Sequence, residues 1–410
     1  MTMSVADRIF LRVNRFHTER VAVAWGGRHI LHGRQPSPGD VVLTSNDYLA
    51  LARVPHIVGA MCAALQNASE GAPPSGVFLH GPDHPQIVLE KTLADHMRAA
   101  AGILCQSGWD ANAGLMQSIA DSQTPVYVDH MAHMSLWHGA KTAGAPVYSF
   151  RHNFPGHLRD EIRKHGPGII AVDSIYSTNG SRSPLTQICD VADETGSVLV
   201  VDESHSLGTD GPYGAGMVVA LGLTDRVPFR VASLATAFAG RAGFVAANNI
   251  DFVDYFKMES DPAVFSAALR PHDIAGLGAT LDVVRTDEWR RVRLREISAV
   301  VRRALMALEF DLEGSASHIV ALQTGSDERT MAIRDFLEAR GVFGSVLCWP
   351  VTAPERALLR FSLHAGLTDI QVDRLIQVCA EVRDTFGGMV PLRYEKPRPA
   401  PPPAQLVPTR

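Results

Sequence analysis

The sequence predicts an α/β fold: a large domain whose mostly parallel sheet lies between helices, joined to a smaller α+β domain. Three observations carry this. Short, continuous apolar runs rich in β-branched residues alternate with amphipathic stretches through the middle of the chain. That is the pattern of parallel strands covered on both faces by crossover helices. The 410 residues suffice for two domains of ordinary size with a large core. Hydrophobic residues make up 46% and charged residues 20%, the balance of a soluble globular chain.

In chain order, PHIVGAMCAALQNAS and HPQIVLEKTLADHMRAAAG read as helices by their periodicity. TPVYVD, ending at Asp129, PGIIAVDS, ending near Ser174, and GSVLVVDES, ending near Ser204, read as strands. LTQICDVADETG supplies a helix between the last two, and RVPFRVASL and GFVAANN follow. The long helix EWRRVRLREISAVVRRALMALEF precedes shorter elements that run through TDIQVDRLIQVCAEVRDTF. We expect a large domain over 51–270 and a small C-terminal domain over 271–390, with residues 1–50 as an arm packed on the small domain. The stretch 391–410, with Pro397, Pro399, Pro401, Pro402, Pro403 and Pro408, is expected to be a disordered tail.

Several partner classes are disfavoured. A formal net charge of -5 argues against nucleic acid or an anionic membrane as the main partner. No apolar run approaches the roughly 20 residues that span a bilayer, and ADRIFLRVNRFHTER interleaves charge with apolar residues, unlike a secretory segment. Cys62, Cys105, Cys189, Cys348 and Cys379 are odd in number, widely spaced and form no CxxC. Neither a disulfide framework nor a metal site is expected, and a cytoplasmic, reducing setting fits.

In an open parallel sheet, ligands bind beyond the carboxyl ends of the strands. The polar residues there are Ser107-Gly108-Trp109, the DHMAHMS stretch with His133, DSIYSTNG with Ser177, DESHSLG with Asp202 and His205, and SLATAFAGR with Ser233. A carboxylate at a buried strand end, such as Asp202, needs a cation or donors. It could meet a protonated ring nitrogen, a metal or an arginine, or simply cap the turn. DESH also resembles a helicase-type DExH box, but no GK[ST] phosphate loop exists here. SGWDAN places backbone amides at a helix start, where a phosphate would fit, although an N-capped helix needs the same residues. His133 could stack on a flat ring or be structural. Arg360, inside the apolar run ALLRFSLHAG, suits either a substrate carboxylate or a neighbouring one.

Order and spacing together add what no single cluster carries. SNDYLAL near Asn46, SGWDANAGL, DHMAHMS, RHNF, DSIYSTNG, VDESHSLGTDGPYGAG and SLATAFAGRAG run in sequence from about residue 40 to 245, and LLRFSLHAGLT extends the match. This series resembles the α-oxoamine synthases, pyridoxal-phosphate (PLP) enzymes of the fold type I, aspartate-aminotransferase class. The DESHSLGTDGP and AFAGRAG wording is most similar to the branch that makes α-aminoketone autoinducers for quorum sensing. The resemblance implies condensation of an acyl-CoA with an amino acid, loss of CO2 and CoA, and a homodimer with shared sites. It implies that 51–270 binds PLP. Asp202 would hold the pyridinium nitrogen protonated, His205 would bond the ring hydroxyl and His133 would stack on the ring. Ser107, Gly108 and Trp109 would hold the phosphate, with Ser233 adding a hydroxyl and Ser177 near the ring edge. Arg360 would grip the amino-acid carboxylate.

One position departs. Where the family pattern has the lysine that forms a Schiff base with PLP, this chain has Thr236, whose hydroxyl cannot form an imine. Only five lysines occur, Lys91, Lys141, Lys164, Lys257 and Lys396, against 33 arginines, and none lies in SLATAFAGRAG. Three explanations follow: an engineered substitution, a natural lysine-free synthase that holds PLP non-covalently, or a binding relative without turnover.

Overall fold

The computed structural model describes residues 3–67, 73–78, 81–312 and 314–387. The proline-rich tail expected at 391–410, and Lys396 with it, lie outside the described residues.

The centre is a seven-stranded sheet. Its spatial order is Ala101–Cys105, Gly243–Ala247, Phe229–Ser233, Val198–Asp202, Ile169–Asp173, Val126–Asp129 and Val147–Phe150. The last five are mutually parallel, whereas Gly243–Ala247 runs antiparallel to both of its neighbours. The short link Leu234–Ala242 explains that reversal, because a parallel return needs a crossover of a dozen or more residues. Side chains alternate between two cores, as strand geometry requires. Ile170, Val172, Leu199 and Val201 enter one core, and Ile169, Ala171, Val200 and Val231 enter the other.

Two departures concern boundaries. The helix expected to run through Gly102 stops at His96, Arg98 takes a positive φ of 53°, and the strand Ala101–Cys105 begins. The alanine-rich AAAG that reads as helix is thus the entry to a strand, because pairing with Gly243–Ala247 outweighs local propensity. The edge strand Val147–Phe150 carries no such pattern in the sequence, being short and only partly buried. Elsewhere the patterns translate directly. Leu185–Thr195 is a helix closed by Gly196 at φ 68°, and Glu288–Ala307 and Asp369–Phe386 are the long C-terminal helices.

A second sheet is antiparallel, ordered Ser345–Leu347, Ala357–Ser362, Ile319–Gly325, so Arg360 sits on its central strand. The N-terminal segment joins this part of the molecule. Val41–Val42 pairs in parallel with Val342–Phe343, Ser362 N donates to Leu43 O at 2.9 Å, and Ala365 N donates to Tyr48 O at 2.8 Å. The chain thereby carries Asn46 and Tyr48 from the small sheet towards the strand ends of the large one. Helix Pro271–Thr286 packs on helix Pro55–Asn67, where a Cβ at Gly276 would lie 2.8 Å from Met61.

Candidate active site

Four adjacent parallel strands end on Ser233, Asp202, Asp173 and Asp129, which places polar groups in a row along one edge of the sheet. A cavity of about 290 Å³ opens beyond them, lined by Gly108, Trp109, His133, Ser177, Asp202, His205, Ser233, Thr236 and Arg360. Ser107 stands just outside as the N-cap of helix Gly108–Ile119, its Oγ accepting from Asp110 N at 3.1 Å. Asn46, Asn112, Asp173, Thr178 and Ser204, which lie within the stretches brought forward above without a role of their own, also line the cavity, as do Leu347 and Val351, which no motif covers. Asn112 follows Gly108 by four residues on the same helix, so the i,i+4 spacing was the available signal for it.

Asp202 is almost fully buried and held from two sides. Asn112 Nδ2 donates to its Oδ2 at 2.6 Å, and Ser204 N donates to its Oδ1 at 2.8 Å. The same Asn112 amide donates to Ser135 Oγ at 3.0 Å, and Ser135 Oγ lies 2.6 Å from His133 Nδ1. A single run of hydrogen bonds thus fixes the carboxylate and the His133 ring together. Trp109 meets His133 edge-on with ring centres 5.9 Å apart. Asp173 lies beside Asp202 in register on the next strand. Burial, reinforced by the Asp202 charge, pushes its carboxyl well above the usual range, while His133 N donates to its Oδ1 at 3.1 Å.

Opposite lies a second network. Tyr48 OH is 2.7 Å from His205 Nδ1 and 3.1 Å from Arg360 Nη2, while Arg360 Nη1 reaches Asn46 Oδ1 at 3.0 Å and Ser362 Oγ at 2.8 Å. His318 packs on the Tyr48 ring at 4.0 Å. Burial first, and the Arg360 cation second, hold His205 well below the ordinary histidine range and bring His318 down to about 3. Both imidazoles are therefore neutral at pH 7.

Two backbone features shape the wall. A Cβ at Gly108 would fall 2.5 Å from Ser233 Cβ, so only glycine lets the helix start approach the strand end. Ser233 N donates to Ser204 Oγ at 2.7 Å. Thr236 is buried, and its hydroxyl faces two carbonyls, those of Ser204 and of Ser233, the latter at 2.9 Å. Among the described residues no lysine lines the cavity. Lys91, Lys141 and Lys164 are exposed, and Lys257 lies on helix Phe252–Glu259.

The donor set can be tested against PLP. A buried carboxylate, histidine rings and helix-start amides beside a serine hydroxyl match a pyridinium nitrogen, a ring hydroxyl and a phosphate. Two buried polar atoms of cavity-lining residues, Asn112 Oδ1 and Arg360 Nε, have no partner in the protein, which leaves capacity for a polar ligand. These residues fit the group.

Comparison with known proteins shows the family. A family model described as aminotransferase class I and II matches residues 38–378. CAI-1 autoinducer synthase of Vibrio campbellii is 42% identical over 359 residues, 86% of this chain and 89% of that protein. The 8-amino-7-oxononanoate synthase of Anaeromyxobacter dehalogenans is 32% identical, over 92% of this chain and 95% of its own. The 5-aminolevulinate synthase of Bradyrhizobium diazoefficiens is 30% identical, over 93% and 96%. The solved structure of Sphingomonas wittichii serine palmitoyltransferase superimposes with a TM-score of 0.84 at 22% identity, covering 94% of this chain and 99% of that one, a likeness of fold. On the family match and these relatives, the chain belongs to the aminotransferase class I and II family and, within it, to the α-oxoamine synthases.

Proposed function

We propose that this chain is a PLP-dependent C-acyltransferase of the aminoketone-synthase type. It joins an acyl-CoA to a small amino acid, forms an α-aminoketone of the autoinducer kind, and releases CO2 and CoA. The observation that carries the reading is the convergence of Asp202, His133, His205, Ser233, the Gly108 helix start and Arg360 on one cavity. The names of the relatives, autoinducer, aminolevulinate and amino-oxononanoate synthases, support the reaction class.

PLP bound there supplies an electron sink for the charge left at the amino-acid Cα. The chain's own groups do the rest. The amides of Gly108 and Trp109, with the Ser233 hydroxyl, would bind the phosphate. Asp202, oriented by Asn112 and Ser204, would hold a proton on the ring nitrogen. His133 would stack on the ring, His205 would donate to the ring hydroxyl oxygen, and Ser177 would stand near the ring edge. Arg360, with Nε unpaired, takes the amino-acid carboxylate. Thr236 offers no amine, so the cofactor is held by non-covalent contacts. The reading includes a homodimer with sites shared at its interface, and a reducing, cytoplasmic setting that five unpaired cysteines fit.

A second reading is favoured by one observation. The Thr236 hydroxyl is turned to backbone carbonyls and no described lysine lines the cavity. On that reading the chain binds PLP, alone or with an amino acid, without turnover, as a binding or regulatory partner. Absorption titration with PLP, with and without candidate amino acids, tests both readings alongside Thr236→Lys. Synthase function requires CoA release from acyl-CoA and amino acid by the native chain. PLP binding without CoA release, with release gained in Thr236→Lys, selects the second reading. If neither protein binds PLP, both readings fall. Thr236→Lys should also show a visible band that borohydride abolishes while leaving the ring fixed covalently to the lysine, because a desolvated amine at that position reaches the aldehyde.

A further inference from the structure

We infer that Tyr48 is a positioning residue that sets the tautomer of His205, so that His205 turns Nε2–H, and never Nδ1–H, into the cavity. The argument is a count of protons. Arg360 has donors only, so Tyr48 OH accepts from Arg360 Nη2 at 3.1 Å. The phenol then has one proton to place, with two acceptors in reach, His205 Nδ1 at 2.7 Å and Asn46 Oδ1 at 3.2 Å. Asn46 Oδ1 accepts from Arg360 Nη1 at 3.0 Å and keeps a second lone pair, but its contact with the phenol is the longer of the two, 3.2 Å against 2.7 Å. The 2.7 Å separation is the usual length of a bond donated by a hydroxyl and lies at the short end of the 2.7–3.2 Å range of one donated by nitrogen. Tyr48 therefore donates to Nδ1.

The imidazole has no means of carrying both protons. It is buried, and the Arg360 cation faces it beside the His318 and His133 rings; burial and the cation oppose a positive charge on it. A neutral ring that accepts at Nδ1 carries its proton on Nε2. Tyr48 is itself held independently of His205. It is fully buried, its carbonyl accepts from Ala365 N at 2.8 Å, and His318 packs against its ring. The one phenol oxygen thus ties the carboxylate-binding arginine to the histidine that faces the cofactor ring. Only this last consequence rests on the proposed PLP reading. The tautomer belongs to the protein alone.

The test uses the full chain with 15N-labelled histidine and no added ligand, with His205→Asn to assign the His205 signals by NMR at neutral pH. The native protein should show a pyridine-like Nδ1 and a protonated Nε2. In Tyr48→Phe, which keeps the ring and removes the oxygen, the His205 signals should move towards a mixture of both tautomers, and PLP affinity should fall about three- to tenfold, the worth of one hydrogen bond. A native His205 protonated at Nδ1 overturns the inference without any variant. So does a Tyr48→Phe spectrum identical to the native one. If the native chain shows the expected tautomer yet binds no PLP, the proposed function fails and the role of Tyr48 stands.

Discussion

Two clusters of carboxylate, histidine and serine lie at the carboxyl ends of strands in the same sheet, and only one of them lines the cavity. In the first, Asp202, Asn112, Ser135 and His133 are joined by bonds of 2.6, 3.0 and 2.6 Å. In the second, Asp129 Oδ1 is 2.9 Å from His152 Nδ1, and His152 Nε2 is 2.8 Å from Ser181 Oγ. By distances alone the second is the better copy of a hydrolase triad. Yet Ser181 is buried, its hydroxyl also bonds Asn179 Oδ1 at 2.8 Å, and none of the three lines the cavity. Asp129 accepts as well from Met131 N at 2.8 Å and from Asn153 N at 2.9 Å, where Asn153 holds a positive φ of 52°. The second cluster fastens turns together, including the one that presents Ser177 and Thr178. A constellation of residue types is thus common currency at strand ends, and its access to a cavity decides what it does.

The comparison breaks most visibly at the two aspartates. Asp202→Ala should weaken PLP binding on the order of a hundredfold, the loss of a charge-assisted contact, with a smaller change in thermal stability. Asp129→Ala should do the reverse. It leaves His152 Nδ1 and two part-buried amides without their acceptor, costing about 2 kcal/mol of stability by denaturant titration, while the folded fraction keeps its PLP affinity. Equal effects on both quantities in both variants would erase the distinction.

Arg360→Ala comes next. It should weaken amino-acid binding at least about tenfold, since a bidentate guanidinium contact has no substitute, with PLP affinity changed only a few-fold. Joint loss of both ligands by calorimetry would make Arg360 a structural residue instead. Gly108→Ala probes the close approach to Ser233. The added methyl forces helix start and strand end apart, and PLP affinity should drop about tenfold while pyridoxal without phosphate is affected less. An equal drop for both would move the phosphate elsewhere. The smallest effect belongs to Ser181→Ala. Native protein should resist fluorophosphonate labelling at Ser181, and the variant should match it in PLP binding. Labelling of Ser181 would make the second cluster a reactive site after all.

Much of this was legible before any tertiary contact. The strands ending at Asp129, Asp173, Asp202 and Ser233 follow from continuous β-branched runs, which only a doubly covered sheet can bury. The carboxyl-end rule then brings forward Gly108, His133, Ser177, His205 and Ser233. Arg360 stands out because a cation inside an apolar strand demands a partner. What the sequence leaves open are pairings between groups far apart along the chain. Asn112 with Asp202, Tyr48 with His205, and Arg360 with Asn46 lie 90, 157 and 314 residues apart. No local period encodes such contacts. They arise when strand order, helix docking and the return of the N-terminal segment to the small sheet bring separate elements to one edge. The same holds for strands Ala101–Cys105 and Val147–Phe150, and for the reversed Gly243–Ala247. Apolar patterning fixes which face of a strand is buried, whereas its neighbours and direction are settled by hydrogen bonds that form only once the sheet is assembled.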